Sequence, residues 1–347
     1  MFERKGPKLS RTKILVVALI AGVIGGCTSA PSSRKTLLTV DFKPGQTLKY
    51  KFVSSRNMTV DWGPMKGGDP SKTKINKSSE SLEMVVSYTP VEVDPYGVST
   101  IRADCESAKA KRTSESARQQ NWREAAESFA GRSWTFTVDA RGKMVDSSKF
   151  VEVLREAGQR AFRADRSKGL IKDPDMLFDV IATQWFLWDS VSSVSNPAKG
   201  VAVGDKWKSA LPAPATMFLF AARDVNYTLA EIRRQDPNDP NSSKIAVIDS
   251  SYSLMWPNPP EWPVPYTEPF QMSGIFGFLR EYKMRDLQGR GQELFNIDAG
   301  RIEKCSQSYT MHASASLPMG LGGGVNPQIT IDQSMTMELL ASSVPGK

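Results

Sequence analysis

The chain has 347 residues, 40% of them apolar, with eight tryptophans and a formal charge of +8. That is enough apolar material for one large or two ordinary domains, and it excludes global disorder. The basic residues are scattered and not interleaved with aromatics, so nucleic acid is not an expected partner.

The first element is a leader. Arg4, Lys5, Lys8, Arg11 and Lys13 stand against a single acidic Glu3, residues 14–26 are uncharged, and Ile24-Gly25-Gly26-Cys27 closes the segment. A basic n-region, an apolar h-region and small residues before a cut site describe a secretory signal. As a helix the apolar stretch spans only about 20 Å, short of the roughly 30 Å hydrocarbon core, so it reads as a cleaved leader and not a permanent span. Its ending resembles the lipobox of bacterial lipoproteins, a branched aliphatic and two small residues before a cysteine. That resemblance implies cleavage before Cys27, acylation of its thiol (a palmitate-type modification) and a lipid anchor in the membrane. Removing residues 1–26, with five basic residues and one acidic, lowers the formal charge to +4. Residues 27–36 are small, polar and Pro/Ser-bearing, and read as a flexible tether.

Beyond the tether the dominant period is two. Leu38, Val40 and Phe42 share one face, then Leu48, Tyr50 and Phe52, then Met58, Val60 and Trp62. Residues 63–79 read as a long loop or hairpin tip. Leu82, Met84, Val86 and Tyr88 restart the alternation before the turn Asp94-Pro95-Tyr96-Gly97, and Ile101, Ala103 and Cys105 line the next strand. Strict alternation over this many segments predicts an antiparallel sheet with one buried and one wet face. Helices are expected at residues 114–130, 148–162 and 174–189, the last with Asp173 as N-cap and Pro174 at N1.

The chain then begins again. Gly45-Gln46-Thr47-Leu48-Lys49 is echoed by Gly204-Asp205-Lys206-Trp207-Lys208, and Phe136-Thr137-Val138-Asp139-Ala140 by Phe295-Asn296-Ile297-Asp298-Ala299. Val225, Tyr227 and Leu229 precede the turn Asp236-Pro237-Asn238-Asp239, as Leu82–Tyr88 precedes Asp94-Pro95. These ordered echoes predict a duplicated β unit, residues 37–196 with the helical segment and 197–347 with a proline-rich run (257–269) and a C-terminal hairpin. The expected fold is mainly β, one or more curved antiparallel sheets or a half-barrel, with a helical segment near 148–190.

The lipobox, the Gly-x-x-[Leu/Trp]-Lys strand openings, the repeated Phe-x-[Val/Ile]-Asp-Ala turn and the duplicated units resemble envelope lipoproteins of a planctomycete type. That family implies export and a β-rich fold, and brings no catalytic residues with it. A more distant architectural likeness is to the half-barrels of the Lol lipoprotein carriers, where helices plug the open side of a sheet and an apolar cavity holds acyl chains.

No catalytic motif emerges. The one histidine, His312, lies in a strand without a Gly-x-Ser-x-Gly elbow, and one histidine with two distant cysteines makes no conventional zinc site. Ser71-x-x-Lys74 falls in a low-complexity loop. The acidic run at 236–241 reads as a turn, and Gly320–Gly324, with Met319 and Leu321, as a hairpin tip. Asp139 and Asp298 sit where hairpin turns use aspartate anyway. An acylated Cys27 leaves Cys105 and Cys305, which either close one disulfide in an oxidising compartment or stand as separate buried thiols. The aromatics Trp185, Trp188, Trp256, Trp262, Tyr266 and Phe270 either form core or line an apolar pocket over the sheet.

The expectation is therefore a non-enzymatic envelope lipoprotein, a binding or structural module that needs no cofactor and no metal. Its partners are the membrane, through Cys27, and an envelope protein or apolar ligand. The alternatives are a carrier of a lipid or acyl chain in a sheet–helix cavity, and a hydrolase working through carboxylates without histidine. Thr28 and Ser29 are not the aspartate that retains some lipoproteins at the inner membrane, which favours the outer membrane facing the periplasm.

Overall fold

Alternation at period two puts Tyr50, Phe52, Met58 and Val60 of strand β1 (Thr47–Pro64) on one buried face, and leaves Lys49 and Lys51 facing the solvent side. There they reach neighbouring acids, Lys51 to Glu83 and Lys49 to Glu106, each at 2.8 Å. Partly exposed pairs of this kind contribute little, so the buried face drives assembly. The structure is a computed structural model and describes residues 35–64, 73–114, 124–165, 176–194, 197–213, 221–255, 279–317 and 326–343.

Ten further strands follow: β2 (Thr73–Val93), β3 (Ser99–Ser114), β4 (Ser133–Val138), β5 (Met144–Asp146), β6 (Lys206–Pro212), β7 (Ala222–Arg234), β8 (Lys244–Leu254), β9 (Arg280–Asn296), β10 (Arg301–Ser316) and β11 (Gln328–Ser343). All belong to one curved antiparallel sheet in the order β5-β4-β3-β2-β1-β11-β10-β9-β8-β7-β6. β1 to β5 meander outward to one edge. The chain then forms helices α1 (Ser148–Asp165) and α2 (Met176–Val194), re-enters at the far edge as β6 and meanders back, until β11 pairs with β1 from Thr47↔Ser343 to Asp61↔Gln328. Register shifts at Lys49/Tyr50, Val85/Val86, Leu229/Glu231 and Ile302/Lys304 mark bulges, which bend strands and increase their twist.

The crossover determines what covers the concave face. α1 is amphipathic and packs Phe150 against Trp134 and Phe136 of β4, with ring centroids 5.2 and 5.4 Å apart. α2 is buried on nearly every side and reaches β1, β2 and β10. A helix apolar all round must be enclosed. Among the described residues, no helix is long and apolar enough to cross a membrane.

The two halves predicted from the sequence echoes therefore share one sheet within the single unit Lys35–Lys347. The echoed segments occupy matching places, Gly45 and Gly204 at positive φ before β1 and β6, and Gly142 and Gly300 at positive φ in the β4–β5 and β9–β10 turns. Three local expectations need correction. Residues 37–42 form no ladder beyond the isolated bridge Thr36↔Val201. Much of the loop expected at 63–79 is hairpin arm, because β2 begins at Thr73 with its polar side chains on the wet face. Nor does one continuous helix fill 114–130: β3 runs to Ser114, Glu124 is extended, and Ala125–Phe129 is a short 3-10 turn seated by buried Phe129, while residues 115–123 lie outside the described residues. Spacing at three and four residues cannot tell one short turn from a full helix. Asp173, Pro174 and residues 257–269 lie outside the described residues.

Candidate functional site

An open sheet has two edges, and here both border one cleft. The β4–β5 turn supplies Asp139, Arg141, Lys143 and Met144 on one side, and β6 supplies Lys208 to Pro212 on the other. Between them the C-terminal half of α2 forms the floor with Trp185, Trp188, Asp189, Ser192 and Ser193, and Ala222 and Met255 complete it. The cleft measures about 770 Å³, within the range of small-molecule sites.

Local chemistry holds both walls against the helix. Asp139 Oδ1 accepts the amide N–H groups of Arg141 and Lys143, each at 2.9 Å, which folds the turn. Gly142, at φ 77°, lies where a Cβ would collide with Val191 of α2, so the turn presses directly on the helix. On the opposite wall Trp207 stacks on Tyr227 at 5.4 Å and donates its indole N–H to the Ser193 carbonyl at 2.9 Å. Trp188 packs edge-on against Tyr88 and Phe136, at 5.8 and 5.9 Å. Its own indole N–H is buried and has no hydrogen-bond partner among the described residues.

Below the floor lies a buried charge centre. Arg223 Nη1 donates to Gln307 Oε1 at 2.6 Å, and its guanidinium carbon lies 4.6 Å from the Tyr252 ring centre and 5.5 Å from that of Tyr309. Gly289 and Gly291 of β9 make room for this arrangement, since a Cβ at either would strike Tyr252. Burial pushes the Asp189 carboxyl up to about 7, against the pull of Arg223. Burial likewise pushes Glu293 up to about 8, opposed by the hydrogen bond from Ser190 (2.9 Å) and by Arg223. A carboxyl raised from 4.5 keeps its proton in the folded chain where the unfolded chain has lost it. Stability should therefore fall as pH rises from about 4.5 to about 8. Glu293→Gln is expected to flatten that part of the profile and to raise the melting temperature at pH 8 by a few degrees, as thermal unfolding across pH would show.

A second charged cluster crosses the sheet. Arg112, Glu80, Arg56, Gln333, Tyr309, Gly289 and Tyr252 are successive cross-strand partners from β3 to β8. Arg56 is fully buried, bonds Glu80 through Nε at 3.1 Å and again through Nη2, and reaches Asp179 of α2 at 3.2 Å. Burial works to raise Glu80, but Arg56 and Arg112 outweigh it and hold the carboxyl below its ordinary value. This belt ties α2 to the sheet.

Of the residues singled out from the sequence, Trp185 and Trp188 meet in the cleft. Cys27, Trp256, Trp262, Tyr266, Phe270, Ser71 and residues 318–325 lie outside the described residues. Cys105 and Cys305 are free and buried. They sit on β3 and β10, four strand steps apart, roughly 19 Å along the sheet against a bonding limit of about 7 Å. The disulfide alternative is thereby corrected to two buried thiols, and burial pushes Cys105 up to about 12. His312 is exposed on β10, with Nδ1 3.3 Å from Thr330 Oγ1. Asp298 accepts the Lys244 amide at 2.7 Å, and Asp236 and Asp239 cap their own turns. Among the described residues, no three His, Cys, Asp or Glu side chains gather as a metal site.

A larger trough of about 850 Å³ lies over the middle strands, lined by Ser55, Asn57, Asp286, Thr310 and Asp332. It is shallow, and in it Thr310 donates to Asp332 at 2.7 Å. The edge cleft has the better depth and chemistry. Asp189, Arg223 and Glu293 were missed in the sequence although the signal was there. Arg223 is in phase with Val225 and Tyr227, and Glu293 with Phe295, so each is a charge on the buried face.

No known protein family matches the chain, and no curated protein matches it. Among solved structures, one titled "Lipid-protein interactions in lipovitellin" aligns with 88% of this chain at 8% identity and a TM-score of 0.42. The chain spans 26% of that protein, and the likeness is too distant to carry an argument about fold or ligand.

Proposed function

We propose that the chain is a lipid-anchored envelope protein whose folded part binds an apolar or amphiphilic ligand in the cleft between the two sheet edges. One observation carries this reading: a space of about 770 Å³ floored by Trp185 and Trp188, at the place where the sheet fails to close. Anchoring through Cys27 would hold the cleft near a membrane, at the outer membrane facing the periplasm, where lipid and acyl chains are the abundant apolar ligands.

Native mass spectrometry of the full chain carrying Cys27→Ser, followed by lipid extraction, tests the binding role. A reproducible bound mass that is lost on Trp188→Asp supports it, and a ligand-free protein after gentle isolation overturns it. Anchoring is tested separately by labelling cells with palmitate. Label should enter the wild-type chain and not Cys27→Ser, and equal labelling of both would refute acylation at this residue.

A further inference from the structure

The wet face of the sheet carries a hollow of its own, the trough of about 850 Å³ over the middle strands. Two rows of cross-strand partners form its banks. One row is Ser55, Ser334, Ser308 and Arg290, from β1 through β11 and β10 to β9. The other is Asn57, Asp332, Thr310, Gln288 and Ser253, which continues to β8. Between them Gln333, Tyr309 and Gly289 occupy positions facing the other side of the sheet, so main chain forms the floor. Rows two residues apart along a strand stand about 7 Å apart, and four strand steps carry the trough about 19 Å across the sheet. The serines explain the hollow, since their side chains are too short to fill it.

The lining favours one kind of occupant. Asn57, Ser308, Ser334 and Arg290 are exposed and have no side-chain partner among the described residues. Asp332 accepts from Thr310 at 2.7 Å and Asp286 from Gln288 at 3.0 Å, each through one carboxylate oxygen. One guanidinium against two carboxylates offers a polyanion no net attraction, and the guanidinium opposes a polycation. None of the exposed large apolar side chains lies in the trough, so a hydrocarbon tail would bury little there. A sugar hydroxyl both donates and accepts, and the banks supply acceptors, donors and groups that do both. The strand spacing that repeats along each bank is also close to the length of one sugar unit.

We propose that the trough binds an uncharged oligosaccharide laid across β1, β11, β10, β9 and β8, with Asp286 and Asp332 accepting from its hydroxyls and Arg290 and Asn57 donating to them. This site is separate from the edge cleft and does not depend on the ligand proposed there.

The test is calorimetry and ligand-observed NMR on the full chain carrying Cys27→Ser. The probes are cellohexaose, chitohexaose, maltohexaose and their disaccharides, with hexaglutamate and hexalysine as charged chains. At least one hexasaccharide is expected to bind about tenfold or more tightly than its disaccharide, because only the longer chain spans several strands. Arg290→Ala with Asn57→Ala should weaken that binding about tenfold. Ser308→Ile with Ser334→Ile, which suits a strand and fills the hollow, should abolish it with the circular dichroism spectrum unchanged. Failure of every saccharide to bind, equal binding of hexamer and dimer, or tighter binding of either charged peptide overturns the proposal. So does saccharide binding that neither double variant alters.

Discussion

Arg56→Met is expected to cost about 3–5 kcal/mol of folding stability, the range for removing one partner of a buried ionic cluster. Arg56 is shared between Glu80 on β2 and Asp179 on α2. Without it Asp179 keeps the Ser54 hydroxyl at 3.2 Å, and Glu80 keeps Arg112 at 3.0 Å, but two buried carboxylates have lost their common cation. The penalty should therefore depend on pH. Glu80 is held below its ordinary value in the folded chain, so its contribution is present above about 4.5 and is lost as pH falls through the lowered value. The difference between wild type and Arg56→Met, measured as urea midpoints, should shrink toward acidic pH. Adding Glu80→Gln and Asp179→Asn should recover part of the loss at neutral pH. A loss that is the same at pH 4 and pH 7 would show that Arg56 acts through packing alone.

Gly291→Ala is the second large effect, and propensity and packing disagree on its sign. Gly291 is a strand-interior glycine without positive φ, where alanine would ordinarily gain about 0.5–1 kcal/mol in backbone entropy. A Cβ there would sit 2.7 Å from the Ser306 carbonyl oxygen and 2.8 Å from Ser250 Oγ, and closer still to the Tyr252 hydroxyl. Overpacking of this kind costs about 1–3 kcal/mol, so packing wins and the variant should be destabilised. Tyr252→Phe removes the nearest atom and should relieve part of the clash. The double-mutant cycle should then show a coupling of about 0.5 kcal/mol or more. Strict additivity would mean that the glycine is not there to admit the Tyr252 hydroxyl.

Much of this architecture was legible in the chain. The alternation through Tyr50, Phe52, Met58 and Val60 names the buried face of β1, and Leu82 to Tyr88 does the same for β2, because side-chain direction in a strand follows directly from position. The glycines of the β4–β5 and β9–β10 turns were readable for the same local reason. The binding site was readable only in part. Trp185 and Trp188 could be placed on a helix, but their cleft partners Lys143 and Lys208 lie far apart in sequence, and no local pattern links them. The charges of the interior were visible as breaks in phase, Arg56 between Phe52 and Met58 and Glu293 before Phe295. Their partners were not, since Asp179 and Gln307 reach them across the fold.

By itself, then, the amino-acid sequence determined most of the strands, their wet and buried faces, and the two long helices. Only the tertiary structure decided that the chain crosses the concave face before resuming its meander, that β11 joins β1, and that β5 and β6 flank one cleft over α2. The reason is physical. Periodicity is set by neighbours a few residues away, whereas pairing order and closure depend on which distant surfaces bury the most apolar area together, a comparison made only when the whole chain folds.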